Sequence, residues 1–458
     1  MIIKSEKKII TKVFSQLSKI KFKKKIKSFK KEKFQEISAT QIVNKIKKPD
    51  CILIDVRCPN VFNGWTLGKD IVGGHICGAV NFPLAWIDFK GTQIKKTLKR
   101  KGITPGKQLI VYGENEKEIL KFANYLCLTQ KIPLNDIFIY PFAFSTLSRS
   151  GLFLIERLKN YENLVHPVWI NDLIHDKNPE TYQGNKYRIL DVSKLRKYKK
   201  GHIPGATHLD IEKLETKPLW NIVPKDELKR LFLKQGITKD TLVIIYGENS
   251  MAATRVALIL MYAGVEDVRI LNGGFTAWEH CGLRTQKVVQ KPLPVSDFGA
   301  RIPVNPNYVI NTEKTKEILT HINGKLVSIR SLKEQAGKTS GYRYIKPKGR
   351  IKGDVWGYGG SNPYSMEDFR NPDQTMRAFG EIKKMWQTSG ITSDNLIAFY
   401  CGTGWRASEA FFYAYLMGFK HISVYDGGWF EWSRDKTNPI ESGDINRNFD
   451  SNSYEHPY

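Results

Sequence analysis

Leu396-Ile397-Ala398-Phe399-Tyr400-Cys401-Gly402-Thr403-Gly404-Trp405-Arg406-Ala407-Ser408 is the stretch on which the fold turns. The apolar run Leu396 to Tyr400 has the length of a buried strand, and a segment of helical spacing, Glu409 to Met417, follows the loop. Strand, tight loop and helix in that order describe part of a parallel α/β unit. Two loop glycines permit positive φ, which lets successive backbone N–H groups turn inward. A ring of donors at a helix N-terminus binds anions. With Arg406 beside it, such a ring favours the thiolate of a cysteine at the first loop position. A solitary cysteine at a strand end is ordinarily a small inert hydrophobe. The surrounding Cys-Gly-Thr-Gly-Trp-Arg pattern argues instead for a nucleophile at Cys401.

Working outward, the same pattern occurs three times, and the repeat is the main architectural signal. The first copy has a strand at Cys51 to Arg57, the turn Gly74-His75-Ile76-Cys77-Gly78-Ala79 and a later strand Leu109 to Gly113. The second has Ile189 to Val192, Gly201-His202-Ile203-Pro204-Gly205-Ala206 and Leu242 to Gly247. The third has Leu326 to Arg330, Gly349-Arg350-Ile351-Lys352-Gly353 and the strand before Cys401. Gly247 to Asn272 and Cys401 to Asp426 are both 25 residues apart, with Trp278 and Trp432 each six further on. Copy one is the most diverged, with Pro141-Phe142-Ala143 where a Gly-Gly turn is expected. The fold class is therefore α/β, as three tandem domains, each a parallel sheet with covering helices. The expected boundaries are a basic tail over 1–36, domains over 37–160, 161–287 and 288–437 (the last including a linker), and a polar tail over 438–458. An insertion rich in Gly, Asn, Pro and Tyr, Trp356 to Met376, falls in the third copy and reads either as a lid near the site or as a plain surface excursion.

A chain of 458 residues agrees with about three domains at ~150 residues each. The net charge is +27, of which thirteen Lys and three Glu in residues 1–36 contribute +10. Ile9, Ile10, Val13, Phe14, Leu17 and Ile20 recur at helical spacing in that tail, so membrane contact is one reading, a solvated tail the plainer one. No Lys/Arg stripe with interleaved aromatics marks the body, which argues against a nucleic-acid partner. The six cysteines form no Cys-x-x-Cys pair and no zinc-like spacing, so neither metal nor cofactor is expected. Scattered thiols fit a reducing compartment. With no secretory apolar core in residues 1–34 the expected location is cytoplasmic, the periplasm being the alternative.

Taken together, the Asp-x-Arg strand end, the Gly-His-Ile-x-Gly-Ala turns, the Cys401 loop and the Asp426-Gly427-Gly428 turn with Trp432 resemble the rhodanese family. More narrowly, Arg330-Ser331, Gly341-Tyr342-Arg343-Tyr344 and Cys401 to Ser408 are similar to three-domain bacterial thiosulfate sulfurtransferases in which only the last domain keeps its cysteine. The resemblance implies that domains one and two are inactive and that Cys401 takes the outer sulfur of thiosulfate as a persulfide. That sulfur then passes to a thiol or to cyanide. Residues Gly402, Thr403, Gly404, Trp405, Arg406 and Ala407 are expected to bind the anionic donor. Persulfide-handling proteins such as a cysteine desulfurase are the expected partners. Ser328 departs from the pattern, standing where an Asp is usual. The alternatives are a sulfur carrier or scaffold loaded by a partner, and a Cys-dependent phosphatase or arsenate reductase. The phosphatase group places five residues between Cys and Arg, whereas four stand between Cys401 and Arg406.

Overall fold

The computed structural model describes residues 33–67 and 71–443. The amphipathic segment Ile9 to Ile20 lies outside them. The chain divides into two compact units. One holds the first repeat, through Tyr161, with Glu279–Gly282; the other holds the second and third repeats, Glu162–Trp278 and Leu283 onward.

Each repeat builds a five-stranded sheet, all of its pairings parallel. The first contains β1 (Gln35–Glu36), β2 (Cys51–Asp55), β3 (Val80–Asn81), β4 (Gln108–Gly113) and β5 (Ile137–Ala143), in the order β1-β5-β4-β2-β3. The second contains β6 (Leu164–Val165), β7 (Tyr187–Asp191), β8 (Thr207–His208), β9 (Leu242–Tyr246) and β10 (Asp267–Leu271), in the order β6-β10-β9-β7-β8. The third contains β11 (Val309–Ile310), β12 (Gly324–Ser328), β13 (Val355–Trp356), β14 (Leu396–Tyr400) and β15 (Ile422–Tyr425), ordered β11-β15-β14-β12-β13. In every repeat, then, the fourth strand is central and flanked by the second and fifth. That is why the fourth strand reads as an unbroken apolar run: all five residues of β9 are buried, as are Ile397 to Tyr400 of β14.

The tails are shorter than the sequence suggests. Phe34 is buried and Gln35–Glu36 pair with Phe138 and Ile139, so the first sheet begins before residue 37. Ile440–Glu441 pair antiparallel with Arg350–Ile351, so the third repeat continues past residue 437. Short strands of two residues carry little periodicity, which explains both misplacements.

A common strut closes each repeat. The phenol ending or nearly ending the fourth strand accepts the amide of the isoleucine in the Gly-x-Ile turn: Tyr112 from Ile76 at 3.4 Å, Tyr246 from Ile203 at 2.9 Å and Tyr400 from Ile351 at 3.5 Å. Each phenol also meets a carboxylate. In the first two repeats it is Asp55 or Asp191, on the second strand. In the third, where Ser328 occupies that position, Tyr400 donates instead to Asp354, just after the turn. Burial pushes the Asp354 carboxyl up to about 6, against the opposing effects of Tyr400, Gln335 and Arg350.

The helices used below are α1 (Glu116–Asn124), α2 (Ser250–Ala263), α3 (Leu332–Gln335), α4 (Trp405–Leu416) and α5 (Gly428–Trp432). Helix α4 starts four residues earlier than its periodicity suggests, so Trp405 to Ser408 are helical and the loop is only Cys401 to Gly404. Gly404, at φ 90°, turns the chain straight into the helix, and its carbonyl accepts both the amide and the hydroxyl of Ser408 at 2.8 Å. In the larger unit α2 and α4 pack side by side.

Candidate active site

Cys401 follows β14 at the carboxyl edge of its sheet, the usual place for ligands in parallel α/β folds. Its side chain is fully buried. The loop is held from behind by main chain: the amides of Trp429 and Phe430, at the start of α5, donate to the carbonyls of Cys401 and Gly402 at 2.8 and 3.1 Å. Gly428 makes that approach possible, since it sits at φ 55° and a Cβ there would lie 2.7 Å from the Cys401 carbonyl oxygen. A trans peptide sends its N–H opposite its carbonyl, so the Gly402 and Thr403 amides point away from α5. Among the described residues no group accepts from any amide of Gly402 through Ala407. These six donors stand without acceptors at the N-terminus of α4, where a helix favours negative charge; they are called the cradle below.

The two loop glycines serve different ends. Only Gly404 adopts positive φ. Gly402 is needed for space: a Cβ there would come within 2.4 Å of the Tyr342 ring. That ring stacks on Tyr344 with centroids 5.3 Å apart, meets Tyr364 edge-on at 5.3 Å, and donates its hydroxyl to the Pro363 carbonyl at 2.9 Å. Pro363 and Tyr364 belong to the insertion, so part of that segment does reach the site. The remainder is anchored, with Phe369 and Met376 buried and Arg370 bonded to Glu409 of α4 at 2.6 and 2.8 Å. Thr403 is buried and interacts with the Tyr344 phenol, and Ala407 is buried in the first turn of α4.

Arg406 differs from the sequence expectation. Its terminal nitrogens are both bonded within the protein, to Glu334 at 2.8 Å, and neither side chain is exposed. Glu334 sits on α3, where Ser331 and Glu334 form a reciprocal capping box. Burial would raise the Glu334 carboxyl, but Arg406, Arg330 and the Ser331 hydroxyl override it and hold it at about 2. The Ser-x-x-Glu spacing of a capping box was the available sequence signal for this partner.

Trp405 is shared between repeats. Its indole N–H donates to both oxygens of Glu215 at 2.9 and 3.1 Å. Glu215 lies in a small antiparallel hairpin of the second repeat, Glu215–Thr216 with Asn221–Ile222. Between the two repeats opens a cavity of about 670 Å³, lined by Tyr342, Tyr344, Tyr364, Thr403 and Trp405 from one side and by Glu215, Trp220 and the residue 248–252 turn from the other. No single repeat contains that cavity, and nothing in the linear sequence points to the residues contributed by the second repeat.

The second repeat keeps the topology of the site without its cradle. Gly247 stands in place of the cysteine. The Asn249 side chain accepts from Met251 at 3.0 Å, its carbonyl from Ala252 and Ala253, and Ser193 accepts the Glu248 amide at 3.1 Å. Four of the six positions that are open after Cys401 therefore have internal acceptors here. In the first repeat Asn115 likewise caps α1, accepting from Glu118 at 3.0 Å.

Comparison with known proteins agrees with this geometry. The family model described as Rhodanese-like domain matches residues 38–141, 167–281 and 313–435. The chain belongs to the rhodanese family. It is 38% identical over 413 residues to the thiosulfate sulfurtransferase YnjE of Escherichia coli strain K12, covering 89% of this chain and 93% of that protein. The sulfur carrier protein TtuD of Thermus thermophilus is 28% identical over 295 residues, 62% of this chain and 98% of that one. Among solved structures, wild-type EanB superposes with a TM-score of 0.84 at 37% identity, covering 90% of this chain and 98% of EanB. An EanB variant in which ergothioneine is covalently linked with a cysteine persulfide superposes with a TM-score of 0.86 at 36% identity, covering 90% and 100%. The chain is thus a sulfurtransferase of three rhodanese domains.

Proposed function

We propose that the chain moves sulfane sulfur through a persulfide on Cys401, loaded by thiosulfate or a similar small anionic donor. The observation that carries this reading is the run of six open amides, Gly402 to Ala407, that follows a buried cysteine and leads into α4. The Cys401 thiolate attacks the outer sulfur of thiosulfate; the new S–S bond forms as the sulfur–sulfonate bond breaks and sulfite leaves with the electron pair. The amides stabilise the thiolate and then the persulfide. A thiophile attacks the outer sulfur next, returning the Cys401 thiolate. Arg406 acts by neutralising the buried Glu334 rather than by gripping the donor. The choice of thiosulfate therefore rests on the likeness to YnjE. Production of thiocyanate from thiosulfate and cyanide, together with a +32 Da adduct on Cys401 by mass spectrometry, tests the proposal. Phosphatase activity without either signal would overturn it.

A second reading concerns the acceptor. A cavity of about 670 Å³ walled by tyrosines and tryptophans is far larger than cyanide requires, and EanB has been solved with hercynine. Sulfur would then pass to a small organic acceptor bound between the repeats. Single-turnover transfer from the persulfide form to hercynine, against transfer to cyanide or a plain thiol, separates the two.

A further inference from the structure

The second repeat lacks a nucleophile, yet it places one arginine against the Cys401 loop. Arg255, on α2, is fully buried. Its Nε donates to Glu215 at 2.9 Å, and its Nη2 donates to Asp426 at 2.6 Å and to the Trp220 carbonyl at 3.3 Å. Its remaining nitrogen, Nη1, has no hydrogen-bond partner. That atom lies 2.9 Å from where a Cβ on Gly404 would sit, so the guanidinium fills the side-chain space of the residue that turns the loop into α4.

Resting on the reading of Cys401 as the sulfur-bearing residue, we infer that Arg255 is a positioning residue for the Cys401 loop, supplied by a repeat that has no chemistry of its own. Three attachments meet in its side chain, and each controls a different part of the cradle. Through Glu215 it fixes the Trp405 indole, at the first position of α4. By contact it holds Gly404. Through Asp426 it fixes the turn whose next residues present the Trp429 and Phe430 amides to the carbonyls of Cys401 and Gly402. Asp426 is held at its other oxygen by the Ile222 amide at 2.8 Å, again from the second repeat. A tie between domains would need the ion pairs alone. Contact with Gly404 and the bonds to both flanks of the loop are what a positioning role adds.

The test uses the full chain with Arg255→Lys, which keeps the charge but cannot span Glu215 and Asp426 as the planar fork does. Two readouts are taken: the pH profile of Cys401 alkylation by iodoacetamide, which needs no donor, and thiosulfate-to-cyanide transfer. The expected result is an alkylation midpoint moved to higher pH, with kcat lowered about tenfold or more and KM changed less, since loss of position by about 1 Å costs up to ~10²-fold. If Arg255→Lys does not fold, as judged by circular dichroism and urea unfolding, Glu215→Leu replaces it. That change frees Trp405 while leaving Arg255 paired with Asp426, and the same shift in midpoint is expected. A folded variant with the wild-type alkylation profile and kcat within about twofold overturns the inference. If the wild type transfers no sulfur but the midpoint still moves, the inference stands and the proposed reaction falls.

Discussion

Glu334 takes both terminal nitrogens of Arg406, each at 2.8 Å, and neither side chain reaches solvent. The cation nearest to Cys401 in sequence is thus already spent on a carboxylate. Its effect is to let the Glu334 carboxylate be buried with its charge compensated.

This pair makes stability acid-sensitive. The Glu334 carboxyl is held at about 2, below its ordinary 4.5, so between those values the unfolded chain binds more protons than the folded one. The contribution is complete above pH 4.5 and is lost as pH falls through 2. Glu334→Gln should flatten the acid limb of a plot of urea midpoint against pH. It should also lower stability at neutral pH by about 3–5 kcal/mol, the usual effect of leaving one member of a buried pair uncompensated. Parallel acid limbs in wild type and variant would refute the assignment.

Replacing Cys401 with Ser should abolish sulfur transfer while leaving the chain folded, because the nucleophile is removed at a fully buried position with little change of volume. Residual transfer above about one-tenth of wild type, well above the loss expected on removing a nucleophile, would mean that another residue carries the sulfur.

Gly428→Ala should damage the site more than its size suggests. The new methyl would stand 2.7 Å from the Cys401 carbonyl oxygen, on a residue held at φ 55°. Backbone on both sides must move, so the Trp429 and Phe430 bonds should lengthen. The expected outcome is a loss of about 1–3 kcal/mol in unfolding free energy together with a drop in kcat, measured side by side. Unchanged kcat in a destabilised variant would show that the cradle does not depend on these bonds.

In a Cys401→Ser background, Gly247→Cys should stay inactive. The added Cβ would meet Val192 at 3.1 Å and Ser193 Oγ at 3.5 Å, which is tight but tolerable. The obstacle is the missing cradle, because Asn249 and Ser193 already occupy the amides. Adding Asn249→Gly to Gly247→Cys should give a faster alkylation of the new thiol than Gly247→Cys alone. Substantial thiocyanate formation from Gly247→Cys by itself would contradict this account.

The repeat and the site loop were legible because they rest on local signals: five-residue apolar strands, Gly-x-Ile turns and a glycine-bearing cysteine loop. Trp278 and Trp432, six residues beyond matching turns, are both fully buried, each donating its indole N–H to a carbonyl six or seven residues on. What the sequence hid is long-range. Glu334 lies 72 residues from Arg406 and Glu215 lies 190 residues from Trp405. An arginine beside a cysteine does not announce which way its fork points. Asp426 looked like a turn residue only, yet it also receives Arg255 from 171 residues away. Two-residue edge strands such as Gln35–Glu36 carry too little pattern to place a boundary.

The tyrosine strut bears on how the three copies could part company. Tyr246 and Tyr400 stand immediately before the Gly247 and Cys401 positions, and Tyr112 immediately before Gly113, so the strand end is locked one residue ahead of the loop. The strut thus closes each sheet without using the residue that follows the tyrosine. A duplicated copy is then free to exchange its nucleophile for glycine and its open amides for a helix cap, while its sheet closes as before. Two of the copies show that outcome, and one of them has been turned into a wall for the third. The fold and its reactivity are inherited separately, with the seam between them a single residue wide.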